Sequence, residues 1–221
     1  MTRNTDSEKV EERFEELIED SLLELSRIGE EEGATGNVAS RLVFPKYRDR
    51  ENGEKGGRRI SEQELRFLLV RKLEEAKMCH YSVETPTRDK YCFSGEKFLS
   101  ARIDLCLHRH PNLKRTNLVE LKYGNKYGSG DIMHDFAKLL CDDDTTGTNY
   151  FVQFVERADG DTISNIEGKY RGALGEVLKF ASDHKRKIKF GVKIILFAME
   201  TDKATENFHR YEIGKNGILR S

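Results

Sequence analysis

Two short segments near the middle of the chain constrain its fold more than any other feature. ARIDLCL (residues 101–107) and NLVELKY (residues 117–123) are mainly apolar, and the charged residues within each are spaced two apart. Strands present successive side chains to opposite faces, so this alternation is typical of strands in a sheet. Because only a nine-residue polar segment separates the two, we expect them to be neighbouring strands.

The segments around this pair alternate between helical and strand patterns. Residues 61–76 form a strong helix signal, since Ser61 and Glu64 have capping-box spacing ahead of a leucine stripe. Further expected elements are strands at 81–86 and 91–93 around a turn at 87–90, a helix at 131–141, a strand at 148–156, a helix at 172–184, and strands at 191–199 and 208–213. This order predicts an α/β fold class with a central mixed β-sheet flanked by helices, one layer on each side.

The N-terminal part of the chain has a different character. Residues 1–33 contain twelve acidic and four basic residues, which leaves a net charge of +7 on the rest of a chain whose total is −1. Apolar residues at helical spacing from Val10 to Ile28 predict an amphipathic helix of about six turns. We expect an acidic helical extension at 1–45, an exposed loop or linker at 46–59 and a main domain at 60–221.

Composition excludes several classes of protein. No apolar run is long enough for a transmembrane helix, and the acidic N-terminus lacks the apolar region of a secretory signal. The four cysteines form no CxxC pair, which argues against a zinc site and favours reduced thiols in the cytoplasm. The stripe of the N-terminal helix must pack on the body or on another copy of the chain, so a homodimer is one expected arrangement.

The two central strands also carry the chemistry. If they are neighbours, Asp104, Glu120 and Lys122 come together on one face of the sheet. Carboxylate oxygens suit Mg²⁺, which keeps several waters and accepts phosphate oxygens as further ligands. A positioned lysine beside such an ion can orient the attacking water or hold the scissile phosphate, which is the chemistry of phosphodiester hydrolysis. The competing interpretation is a set of cross-strand salt bridges on an exposed sheet face.

These residues resemble a known family. A helix with EQEL, a strand with IDL, a strand with VELK and then a helix are together similar to the PD-(D/E)xK phosphodiesterase superfamily, which has the restriction-endonuclease-like fold. The resemblance implies a Mg²⁺-dependent nuclease, with Mn²⁺ able to substitute, in which Asp104 and Glu120 bind the metal and Lys122 is catalytic. It also implies a glutamate from the preceding helix. Glu62 and Glu64 compete for that role, and Glu62 is preferred because it lies on the stripe of Leu65.

The expected partner is nucleic acid, with DNA favoured over RNA because most of the family acts on DNA. Arg109, Lys114 and Arg115 lie in the polar segment between the strands and, with Lys126, are weak candidates for phosphate contacts. In the following helix, His134, Asp135 and Lys138 could line the site, although an exposed helix face is the favoured interpretation. The alternative function is a catalytically inactive nucleic-acid-binding or assembly module of the same fold.

Overall fold

A computed structural model describes residues 5–34, 46–48, 55–58, 60–92, 99–109, 112–142, 145–200 and 206–220. The chain divides into two compact units, Met1–Lys77 and Met78–Ser221. The domain boundary expected at residue 60 falls inside the first unit. Among the described residues, no helix is long and apolar enough to cross a membrane.

The first unit contains two helices and a short pair of strands. Helix α1 is Thr5–Ala34, and helix α2 is Glu62–Ala76. Helix α1 is longer than the expected six turns. Within the segment expected to be a loop, strands β1 (Lys46–Arg48) and β2 (Lys55–Arg58) pair antiparallel, whereas residues 49–54 and 59 lie outside the described residues.

Partly buried ion pairs join the two helices of this unit. Oε1 of Glu24 on α1 lies 2.6 Å from Nη2 of Arg71, and Oε2 of Glu24 lies 3.0 Å from Nζ of Lys72, both on α2. Burial raises the pKa of Glu24, but its hydrogen bonds to these two cations outweigh burial and hold the pKa below its usual value.

The capping box of α2 is confirmed. The Ser61 backbone N–H donates to Oε2 of Glu64 at 2.8 Å, and the Ser61 hydroxyl accepts from the backbone N–H of Gln63 at 3.3 Å. These bonds satisfy groups that the first turn of a helix leaves unpaired. The helix ends at Ala76 and is followed by the C-cap residue Lys77, which has a left-handed φ of 48°.

The second unit is built on one seven-stranded sheet in which the strands follow their order along the chain. The strands are β3 (His80–Tyr91), β4 (Leu99–Arg109), β5 (Lys114–Tyr123), β6 (Tyr150–Ala158), β7 (Val192–Glu200), β8 (Glu206–Gly214) and β9 (Gly217–Arg220). Strands β5, β6 and β7 are parallel, and the outer pairs are antiparallel. The mixed sheet expected from the sequence is therefore present.

Two helices connect the parallel strands, and both pack on the same face of the sheet. Helix α3 is Ser129–Cys141, and helix α4 is Gly160–Asp183. Phe136 of α3 and Tyr170 of α4 both contact the ring of Phe151 on β6. Within this unit the helices thus form one layer, where the sequence predicted one on each side.

Three local expectations differ from the structure. The turn expected at residues 87–90 is wrong, because β3 continues through it with a register irregularity, and the Thr87 hydroxyl accepts from the backbone N–H of Ala101 on β4 at 3.0 Å. Helix α4 begins well before residue 172, capped by Asp159, which accepts from the N–H of Thr162. Strand β9 was not expected at all.

Candidate active site

The two central strands pair as the sequence predicted. Strands β4 and β5 are antiparallel, with Leu105 opposite Val119 and Cys106 opposite Leu118. This register continues to Asp104 and Glu120, which lie on the two adjacent strands. The Asp104 carboxylate accepts a hydrogen bond from the backbone N–H of Leu121 at 2.8 Å. Asp104 is thereby fixed beside the residue that follows Glu120 on the neighbouring strand.

A chain of alternating charges links β5 to α3. Nζ of Lys138 lies 2.7 Å from Oε2 of Glu120 and 2.9 Å from Oδ1 of Asp135. The other carboxylate oxygen of Asp135, Oδ2, lies 2.7 Å from Nζ of Lys122. The structure therefore brings Glu120 and Lys122 together through two residues of the helix that follows them.

The interpretation of this part of α3 as an exposed helix face is wrong. Asp135 and Lys138 are buried, with 6% and 8% of their surface exposed, and His134 is half-buried. The reason is that α3 packs directly over the strand residues, so its polar positions 135 and 138 meet Glu120 and Lys122 instead of water. For the same reason, Cys106, two residues beyond Asp104 on β4, is fully buried in the core.

Burial dominates the electrostatics of Glu120, of which 3% is exposed. Desolvation raises the pKa of this carboxyl well above its usual value, and the negative charges of Asp135 and Asp104 raise it further, while Lys138 opposes the shift. Desolvation alone would lower the pKa of Lys138, but the two carboxylates that contact it raise the pKa above its usual value. Lys138 is therefore held as a buried ammonium ion.

An open pocket of about 300 Å³ leads to this network. Its lining residues are Ala101, Lys122, Tyr127, Asp131, His134, Asp135 and Lys138. The ammonium of Lys122 lies 4.6 Å from the centre of the Tyr127 ring, a cation–π distance. Desolvation lowers the pKa of His134, against the raising effect of Asp135 and Asp131. A ligand entering this pocket meets an aromatic ring, an imidazole, two ammonium groups and two carboxylates.

Asp104 and Glu120 fit a hard divalent cation. Oε1 of Glu120 is buried and has no hydrogen-bond partner among the described residues. This oxygen could therefore coordinate a bound cation. Mg²⁺ commonly takes one or two carboxylates and keeps waters for its other positions. Within the described part of the chain, no group of three or more His, Cys, Asp or Glu residues is arranged to hold a metal, so a cation here would rely on these two carboxylates and water.

The helix glutamate lies in the first unit. Glu62 is the first residue of α2 and is half-buried, and its expected role at the site stays a prediction. Glu64 has the structural role that the capping-box spacing indicated.

The four candidates for phosphate contacts have different surroundings. Arg109 and Lys114 are exposed and lie opposite each other, Arg109 at the end of β4 and Lys114 at the start of β5. Lys126 is exposed in the segment between β5 and α3. Arg115 instead pairs with the buried Asp142, with Nη1 3.3 Å from Oδ2, and donates from Nη2 to the carbonyl of Pro86 at 2.8 Å. The structure thus gives Arg115 a structural role.

Sequence reasoning missed Gln153, which lies opposite Lys122 on the neighbouring strand β6. Its side-chain amide donates to the carbonyl of Gly124 at 2.6 Å and accepts from the hydroxyl of Tyr170 at 2.6 Å. These bonds fix the start of the segment that carries Lys126 and Tyr127. The available signal was a polar residue within the apolar run YFVQFV.

Comparisons of the chain with protein-family models, with curated proteins and with solved structures found no significant match.

Proposed function

We propose that the second unit is a metal-dependent nuclease that hydrolyses phosphodiester bonds, with DNA favoured over RNA. One observation carries the proposal. Asp104 and Glu120 come from adjacent strands, and Lys122, two residues beyond Glu120, reaches an open pocket where Asp135 holds its ammonium. We also propose a restriction-endonuclease-like core. The element order α2, β3, β4, β5, α3 supports it, because it contains the helix, the two strands and the following helix on which the resemblance rests.

The roles follow from the contacts. Asp104 and the unpaired oxygen of Glu120 would hold Mg²⁺ or Mn²⁺, and such an ion, when bound, makes a coordinated water more acidic and offsets charge on phosphate. The Lys122 ammonium lines the pocket and attracts a phosphate oxygen. Asp135 keeps that ammonium in place through the 2.7 Å ion pair. Glu62, the acid that the resemblance assigns to the preceding helix, belongs to the first unit, and its role stays a prediction.

The proposed partner is a nucleic acid backbone. Lys126 follows Lys122 closely in the chain and is exposed. Arg109 and Lys114 lie about 16 Å along the strand from Asp104, at about 3.3 Å per residue, so they would contact phosphates away from the scissile one. Cutting both strands of a duplex takes two sites, which is why a homodimer belongs to the proposal. The four free cysteines support a cytoplasmic setting.

One observation favours the second candidate, a catalytically inactive nucleic-acid-binding or assembly module. Lys138 contacts Glu120 at 2.7 Å, so a protein cation already neutralises one of the two carboxylates proposed for the metal. Ion pairs of this kind can serve purely to fix the packing of α3 on the sheet.

Incubation of the full chain with plasmid, linear duplex, single-stranded DNA and RNA, each with Mg²⁺, Mn²⁺ or EDTA, tests the proposal. We expect cation-dependent cutting that Asp104→Ala and Lys122→Met each abolish. Lys179→Met, which removes an exposed lysine of α4, is the matched control and should cut like the unmodified chain. Salt-sensitive DNA binding without any cutting would support the inactive module instead.

A further inference from the structure

Lys138 is bonded in every direction that its ammonium allows. An ammonium group has three N–H donors. The nitrogen of Lys138 lies 2.7 Å from Oε2 of Glu120, 2.9 Å from Oδ1 of Asp135 and 3.1 Å from the carbonyl oxygen of Arg102. Only 10% of the side chain is exposed. This lysine is therefore a fixed part of the site.

The positive charge of Lys138 compensates a carboxylate that is costly to bury. Glu120 is 3% exposed, and one of its oxygens has no hydrogen-bond partner among the described residues. A buried carboxylate without a nearby positive charge is strongly destabilising. A divalent cation bound to the other oxygen of Glu120 would supply a second compensating charge within a few ångströms of the ammonium, and the two like charges would repel each other.

We propose that Lys138 is the resident counter-ion of Glu120 and weakens the binding of a divalent cation at Asp104 and Glu120. This inference rests on the proposed function, because it assigns a role to a third residue of the same site. Lys138 stabilises the cation-free protein and so sets the concentration at which the cation binds. Lys122 belongs to the same network but contacts Asp135, so its charge should affect the cation less.

Calorimetric titration of the full chain with Mn²⁺ and with Ca²⁺ tests this assignment. Lys138→Gln removes the charge and keeps donors for the two carboxylates, and Lys138→Met serves the same purpose if the glutamine variant does not fold. We expect either variant to bind the cation at least about tenfold more tightly than the unmodified chain. Lys138→Arg, which keeps the charge, should bind no more tightly. Lys122→Met is the matched control for a general loss of positive charge and should change the affinity by less than about threefold.

Thermal unfolding provides a second measurement. The neutral variants should unfold at a lower temperature than the unmodified chain without the cation, and they should gain more on its addition. Unchanged or weaker affinity in these variants overturns the inference, as does an equal gain in Lys122→Met or the absence of cation binding in every protein. If the unmodified chain cuts DNA but the Lys138 variants bind the cation with unchanged affinity, only this inference is overturned. If the chain cuts no nucleic acid but the Lys138 variants bind the cation more tightly, the inference about Lys138 is supported and the proposed nuclease function is overturned.

Discussion

The ammonium nitrogen of Lys122 lies 2.7 Å from Oδ2 of Asp135, and this ion pair joins strand β5 to helix α3 in the lining of the pocket. The same aspartate contacts Lys138 through its other oxygen. Asp135 therefore fixes two lysines, one from the strand and one from the helix, in the region where we propose that phosphate binds.

The first prediction concerns the stability of the folded chain with and without a divalent cation. A saturating divalent cation should stabilise the folded chain, by about 2.7 kcal/mol at a hundredfold excess over its Kd. Asp104→Asn should abolish this gain while leaving the cation-free stability within about 1 kcal/mol, because asparagine can still accept from the N–H of Leu121. Chemical unfolding with Mn²⁺ or EDTA measures both quantities.

The control for this prediction is Asp131→Asn. Asp131 lines the pocket and caps the first turn of α3 through the Gly128 N–H at 3.0 Å. Its variant should keep the full response to the cation. An equal loss in both variants would contradict a specific site at Asp104.

The second prediction concerns the coupling of Lys122 to Asp135. A double-mutant cycle with Lys122→Met and Asp135→Asn should give an interaction energy of about 1–3 kcal/mol in urea unfolding, since both side chains are largely buried and in direct contact. The same cycle with Asp131→Asn in place of Asp135→Asn should give less than about 0.5 kcal/mol. Equal couplings would mean that the pocket charges act only through their general field.

The third prediction concerns pH. Burial raises the pKa of Glu120 above its ordinary value of 4.5. A raised folded-state pKa of an acid contributes stability that is fully present below 4.5 and is lost as the pH rises through the folded pKa. In that window the free energy of unfolding should fall by up to about 1.4 kcal/mol per pH unit relative to Glu120→Gln. Parallel urea titrations of the two cation-free proteins measure the difference, and identical pH profiles would contradict it.

The fourth prediction separates two neighbouring basic residues of β5. Arg115→Ala should lower the free energy of unfolding by about 2 kcal/mol or more, because Arg115 pairs with a fully buried carboxylate, that of Asp142. Lys114→Ala should change stability by less than about 0.5 kcal/mol but weaken DNA binding and reduce its salt dependence. Unfolding measurements and salt-dependent DNA-binding measurements on both variants test this difference between the two residues. Equal effects on stability would contradict the structural role of Arg115.

Local sequence patterns were enough to predict where the helix and strands that carry the proposed chemistry lie in the chain. The capping spacing of Ser61 and Glu64 located the start of α2, and its hydrogen bonds are present. The alternation in residues 101–107 and 117–123 predicted two neighbouring strands, and β4 and β5 pair directly. These predictions succeed because capping and strand alternation depend on residues a few positions apart.

Tertiary packing alone decided which polar residues join the site. Positions 134–138 of α3 read as an exposed helix face, yet Asp135 and Lys138 are buried because the helix lies over Glu120 and Lys122. Residues 87–90 read as a turn, yet they continue β3 because Thr87 bonds to β4. A side chain's environment depends on what packs against it from elsewhere in the chain, and the local sequence does not contain that information.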